Sequence, residues 1–163
     1  MKRSMKGLLK GLVCLAILAA MAVGLSGCAA KSASVAAGTV NPADIIEIKE
    51  KMFIAQTNDI YANSNDYLGK TIRYEGVFDQ ADGVVAGKDV TYSMVIRYGP
   101  GCCGADGNVG FEVAWDQPYP SVNDWVEATG VLEEYDEEGA TYLRLRLSSL
   151  SVMPVRGQDT VQQ

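Results

Sequence analysis

Two adjacent cysteines, Cys102 and Cys103, stand in the run Arg97-Tyr98-Gly99-Pro100-Gly101-Cys102-Cys103-Gly104-Ala105-Asp106. Three kinds of chemistry are open to them. Paired thiolates are soft ligands, and with the Asp106 carboxylate they supply part of a site for zinc or copper(I). The glycines at 99, 101 and 104 allow a tight turn that aims both sulfurs one way. Successive side chains diverge, however, so this is a poorer chelate than Cys-x-x-Cys. The chain has no histidine, so any remaining ligand is water, another carboxylate or a partner protein. An incomplete site of that kind suits transfer of a metal better than its retention. The second chemistry is redox. A disulfide between neighbours bridges α-carbons ~3.8 Å apart, against the ~4.4–6.8 Å that disulfides prefer, so it is strained and readily reduced. The third role is structural, two small side chains packed under a turn.

The rest of the cysteine count narrows the thiol chemistry to that one place. Lys2, Arg3, Lys6 and Lys10 precede an apolar run from Gly11 to Leu25, which ends in Leu25-Ser26-Gly27-Cys28. A Leu-small-Gly-Cys tetrad after such a run resembles the lipobox of bacterial lipoproteins, in which the cysteine thiol receives a diacylglycerol and the chain is cut before it. The run is shorter than the ~20 residues a spanning helix needs, and its charge pattern is that of an export signal. Residues 1–27 are therefore expected to be a signal peptide and Cys28 the lipidated residue. Of the four cysteines, Cys14 leaves with the signal and Cys28 carries lipid. Cys102 and Cys103 remain, in an extracytoplasmic and often oxidising setting.

Removing residues 1–27 takes four of the 14 basic residues and none of the 20 acidic ones, leaving a net charge near −10. A body this acidic, with no basic patch, repels phosphate backbones, so no nucleic-acid partner is expected. Attachment to the membrane then depends on the acyl chains at Cys28. The absence of histidine removes His-based triads, bases and metal sites, and no carboxylate pair is marked out as acid and base.

The elements that must position the cysteines follow from periodicity. Residues 28–43, from the lipidated cysteine through a stretch rich in Ala, Ser and Gly, read as a tether. The segment 44–155 is long enough for one modest core, and 156–163 read as a disordered tail. Ile46 and Ile48 alternate with Glu47 and Lys49 as a short opening strand. From Met52 to Asn63 the spacing becomes helical, with Phe53, Ile60, Met52 and Ala55 on one face, and Asn63-Ser64-Asn65-Asp66 as its stop. Five strands follow, over 71–79, 91–98, 109–115, 124–133 and 141–147. Their shared faces are Ile72, Tyr74 and Phe78; Tyr92, Met94, Ile96 and Tyr98; Val109, Phe111, Val113 and Trp115; Val126, Ala128 and Leu132; and Leu143, Leu145 and Leu147. Alternation of period two means one buried and one wet face, hence antiparallel pairing. The break between Leu147 and Leu150 predicts a bulge. Glu133 to Glu138 with Gly139 reads as a solvated hairpin tip, because it lacks the alternating ligands of a calcium loop. Gly76 and Gly130, inside strands, suit barrel corners. The fold class expected is mainly β, a small five-stranded antiparallel OB-like barrel with one N-terminal helix.

Three stretches taken together resemble a known family. They are Asn63 with Tyr67-Leu68-Gly69-Lys70-Thr71-Ile72 and Gly76-Val77; Arg97-Tyr98 with Cys102-Cys103-Gly104-Ala105-Asp106; and Asp124-Trp125-Val126-Glu127-Ala128-Thr129-Gly130. They look like the C-terminal domain of the YcgQ-like permease-subunit proteins, and the resemblance covers roughly 45–154. It implies an extracytoplasmic barrel-like domain that works with a membrane permease, and it matches Cys102, Cys103 and Asp106 to the family's distinctive motif. Members of that family carry transmembrane helices before the domain, where this chain has the lipobox.

The expectation is a non-enzymatic, lipid-anchored binding module at the bacterial cell envelope, taking zinc or copper at Cys102, Cys103 and Asp106 beside a transporter. Two alternatives stay open. One is a thiol-redox protein. The other is an interaction module with structural cysteines, using Trp125, Tyr119 and the Pro118–Pro120 loop.

Overall fold

The structure is a computed structural model, and it describes residues 44–101 and 104–162, the side chains of 101 and 104–106 excepted. The expected signal peptide, the tether and Cys28 lie outside the described residues. Strand β1 (Ile45–Glu47) leads through a 3₁₀ turn at Glu50–Met52 into helix α1 (Phe53–Ala62) and a single further turn, α2 (Ser64–Tyr67). Five long strands complete the chain: β2 (Thr71–Val85), β3 (Lys88–Gly101), β4 (Gly104–Ala114), β5 (Trp125–Glu137) and β6 (Ala140–Val152).

The sheet runs β1-β2-β3-β4-β6-β5 and closes by pairing β2 with β5. Strands β2 to β6 form a closed barrel of OB connectivity, and β1 lies outside it. The expected fold class holds, with one difference. The ladders β2–β3, β3–β4, β2–β5 and β5–β6 are antiparallel, whereas β4–β6 and β1–β2 are parallel. Closure imposes the first of these, because β6 must return beside β4 after β5 has intervened.

β2 serves three partners, β5 on one edge along Thr71–Val77, and on the other edge β1 along Thr71–Arg73 and β3 along Val77–Val85. Beside the last β2–β3 rung, Gly76 comes so close to β3 that a Cβ would lie 2.8 Å from the Ile96 carbonyl oxygen. The corner expected there is thus a backbone approach that excludes any side chain. The bulge expected in β6 is also present. Thr129 pairs with Ser149 and Gly130 with Leu147, leaving Ser148 as the extra residue.

Ile72, Tyr74, Phe78, Val95, Phe111, Val113, Val126, Ala128, Leu132, Leu145 and Leu147 fill the barrel. An aromatic chain runs through it: Phe53 meets Tyr74 edge-on, Tyr74 meets Phe111 edge-on, and Tyr61 stacks on Phe111. The Tyr74 hydroxyl donates to the Val95 carbonyl at 2.7 Å, which satisfies the polar end of an otherwise apolar residue.

Three expectations need correction. In β3 the inward residue is Val95, paired with Phe78 on one side and Phe111 on the other. The set Tyr92, Met94, Ile96 and Tyr98 therefore lies on the opposite face. Helix α1 buries Phe53, Ile54, Thr57 and Ile60, while Met52 is 55% exposed and Ala55 is also exposed. Met52 precedes α1 in the 3₁₀ turn, and Ile54, Thr57 and Ile60 join Phe53 on the buried face instead. Finally, the tail expected to be disordered over 156–163 is docked through residue 162. Tyr98 donates its N–H to the Asp159 carbonyl at 2.7 Å, and Val161 donates its N–H to the Tyr98 carbonyl at 2.8 Å. Val161 is 3% exposed and belongs to the core cluster.

Candidate functional site

The β3–β4 ladder ends with Gly99 opposite Gly107 and Gly101 opposite Gly104, with a register shift between the first two rungs. Connectivity then leaves Cys102 and Cys103 as the whole of the link between the strands. The two cysteines lie outside the described residues. Asp106 is part of β4, and its side chain is likewise outside the description. The glycines expected to frame the turn are the paired ends of the ladder, where small residues let two backbones run together without side chains between them.

On β3, paired with Val109, lies a residue that the sequence marked only as a flank. Arg97 is 3% exposed. Its guanidinium lies over the rings of Phe53 and Trp125, 4.9 Å from each centroid. Its Nε donates to the Glu75 carbonyl oxygen at 2.8 Å, and Nη1 lies 3.7 Å from Glu50 Oε2. Nη1 has no hydrogen-bond partner among the described residues. Burial pulls the guanidinium pKa below its ordinary value, and the negative charges of Glu50 and Glu75 oppose that. Arginine stays charged in such a place, because its intrinsic pKa leaves a wide margin. The signal for it was available in the pattern Ser93-x-Val95-x-Arg97, a single valine between polar neighbours in phase with the barrel interior.

Trp125, proposed from the sequence as an exposed contact residue, is 4% exposed. Its indole N–H donates to Glu75 Oε2 at 2.9 Å. Tyr119 is half-buried, stacked on Phe78. Its hydroxyl accepts from the Trp115 N–H and donates to the Val113 carbonyl. Both aromatics are thus committed to packing. A polar cleft of about 200 Å³ opens beside Arg97, lined by Glu47, Glu50, Arg73, Glu75 and Glu127 among others.

At the other end of β3 the acidic segment Glu133–Glu138, expected to be a hairpin tip, is strand as far as Glu137, where it pairs with Ala140–Arg144; only Glu138 and Gly139 form the tip, and most of the segment's charges have partners. Glu133 Oε1 accepts from Arg144 Nε at 2.7 Å and from Arg146 Nη2 at 3.1 Å. Asp136 accepts from Thr141, Glu137 from the Tyr92 hydroxyl and Glu138 from the Ala86 N–H. Burial alone would raise the Glu133 pKa, but the two arginines prevail and hold it below the usual carboxylate range. Among the described residues no group of three or more Cys, Asp or Glu side chains is arranged to hold a metal ion. Three donors assembled from Cys102, Cys103 and Asp106 would be drawn wholly from the hairpin.

A family model, the DUF1980 C-terminal domain, matches residues 26–156. The chain belongs to this family. The match takes in the barrel, the cysteine hairpin and Arg97, and it agrees with the resemblance to YcgQ-like permease-associated domains. No curated protein and no solved structure matches the chain. The family match ends before Gly157, so the docked C-terminal segment lies beyond the part of the chain that defines the family.

Proposed function

We propose that the chain is an extracytoplasmic lipoprotein of the bacterial cell envelope, anchored through Cys28, whose barrel is a non-enzymatic module for a soft metal ion. In this reading Cys102 and Cys103 bind zinc or copper(I), Asp106 supplies a third donor, and the module serves a membrane permease. The observation that carries it is the ladder closing at Gly101 opposite Gly104, which reduces the link to the cysteine pair itself. Two thiolates with one carboxylate make a three-donor set, which leaves a position free for transfer. The acidic body favours approach of cations and disfavours nucleic acid.

The test is anaerobic titration of the reduced chain from residue 29 onward with zinc and with copper(I). One ion per chain is expected, lost in Cys102→Ser/Cys103→Ser and weakened in Asp106→Asn. No uptake of either metal, or equal uptake by the double variant, would sink the reading. Intact mass with and without reductant, after alkylation, reports whether the pair is isolated as a disulfide. A pair oxidised in the envelope and inert to both metals would favour the thiol-redox alternative.

A further inference from the structure

The β2–β3 ladder stops at Val77 opposite Ile96, yet β3 continues to Gly101. On that side Tyr98 is met by the C-terminal segment, which pairs with it in parallel through Thr160. The segment is held by few elements. The Tyr98 N–H and carbonyl are each used once, and Val161 enters the core. Arg156 forms the hinge. Its guanidinium lies over the Trp125 ring, bonds the Asn123 carbonyl at 2.8 Å and reaches Asp159 Oδ2 at 3.2 Å. Gly157 then crosses Trp125 so closely that a Cβ would lie 2.5 Å from its ring. An open hollow of about 820 Å³ borders the segment, so its outer side meets none of the described residues.

We infer that this edge of β3 is an acceptor for an extended peptide of a partner protein, and that residues 157–162 are a strap occupying it in place of that partner. Two facts support an acceptor rather than a simple chain end. The bare edge belongs to the barrel, since the β2–β3 ladder ends at Val77 opposite Ile96 and the earlier residues of β2 pair with β1 instead. The strap, by contrast, lies outside the family match. Without it the edge would expose an unpaired N–H and carbonyl at Tyr98 and a hole where Val161 sits. Strand addition supplies the backbone bonds, and side-chain pockets supply selectivity. The peptide that fits runs parallel to β3. It places an acidic residue toward Arg156, as Asp159 does, and a β-branched apolar residue two positions later, as Val161 does. A tethered strap competes at high effective concentration, so the intact chain is self-blocked. This inference does not depend on the cysteine reading.

The experiment compares the full chain with a chain ending at Arg156, each titrated with a synthetic peptide of residues 156–163. The shortened chain is expected to bind the peptide saturably, and a peptide carrying Val161→Asp to bind at least about tenfold more weakly, because an unpaired carboxylate would enter the core. The full chain is expected not to bind. A folded shortened chain that ignores the peptide, or that takes both peptides alike, overturns the inference, as does equal binding by the full chain. Should the shortened chain fail to fold, the full chain carrying Val161→Asp takes its place, and absence of peptide binding there also overturns it. A dimer of the full chain held by exchanged tails, abolished by the truncation, would assign the edge to a second copy and overturn the separate partner.

Discussion

The two ends of β3 solve opposite problems. At its start, the β2–β3 and β5–β6 hairpins reach past the barrel and are clasped by side chains, Tyr92 to Glu137 and the Ala86 N–H to Glu138. Charge is plentiful there, and most of it is used in local pairs. At its end, β3 meets β4 through glycines, and the nearby charge of Arg97 is buried between two aromatic rings. Exposed pairs contribute little because water screens them, whereas a desolvated guanidinium depends on every contact it makes. The clasped end is therefore expected to tolerate change, and the cysteine end to be sensitive to it.

The sharpest way to break this contrast is Arg97→Ala. Loss of the stacked side chain and of its bond to Glu75 is expected to cost about 2–4 kcal/mol, read from the urea midpoint. Arg97→Met, which keeps most of the packing, should recover more than half of that. A cost near zero for Arg97→Ala would mean that the aromatic cage stands without its cation. Next in size is Gly76→Ala, about 1–3 kcal/mol, because the new Cβ would press on the Ile96 carbonyl rather than on a movable side chain. At the clasped end, Glu137→Gln with Glu138→Gln should change stability by less than about 1 kcal/mol. A larger loss would erase the distinction between the ends.

The smallest effects are those of pH. Glu133 is held below the usual carboxylate range, so its contribution is present above its unfolded pKa and is lost as pH falls through the lower folded value. Glu133→Gln should flatten that acid limb slightly in a series of urea melts. Tyr61 shows the opposite sign. Burial, aided by Glu112, pushes its pKa up to about 12. Its contribution is present below pH 10 and is lost as pH rises through the folded value. Tyr61→Phe should remove that part of the alkaline loss.

Strand existence, the corner at Gly76 and the bulge after Leu147 were legible because each has a local cause, a period of two, a missing Cβ or a slipped alternation. The face of β3 was not. Tyr92, Met94, Ile96 and Tyr98 form the more apolar set, but only Val95 lies in phase with Phe78 and Phe111, and that phase depends on two other strands. The helix face failed for a related reason. Phe53 and Ile60 fit either flank of the stripe, and the barrel selects the flank carrying Ile54 and Thr57. The tail misled because its composition is polar, and a single valine is enough to dock it when an edge awaits.

By itself the sequence determined a mainly β barrel with a helix before it, an acidic body, and a single pair of adjacent cysteines after residue 28. These rest on composition, covalent order and short-range periodicity. Only the tertiary structure decided that the β3–β4 ladder runs as far as Gly101 opposite Gly104, that Arg97 lies buried, and that the C-terminal segment pairs with an edge of β3. Each of these depends on which strands meet across the barrel. Residues far apart in the chain, such as Glu50, Glu75, Arg97, Trp125 and Val161, acquire their roles only when closure brings them together.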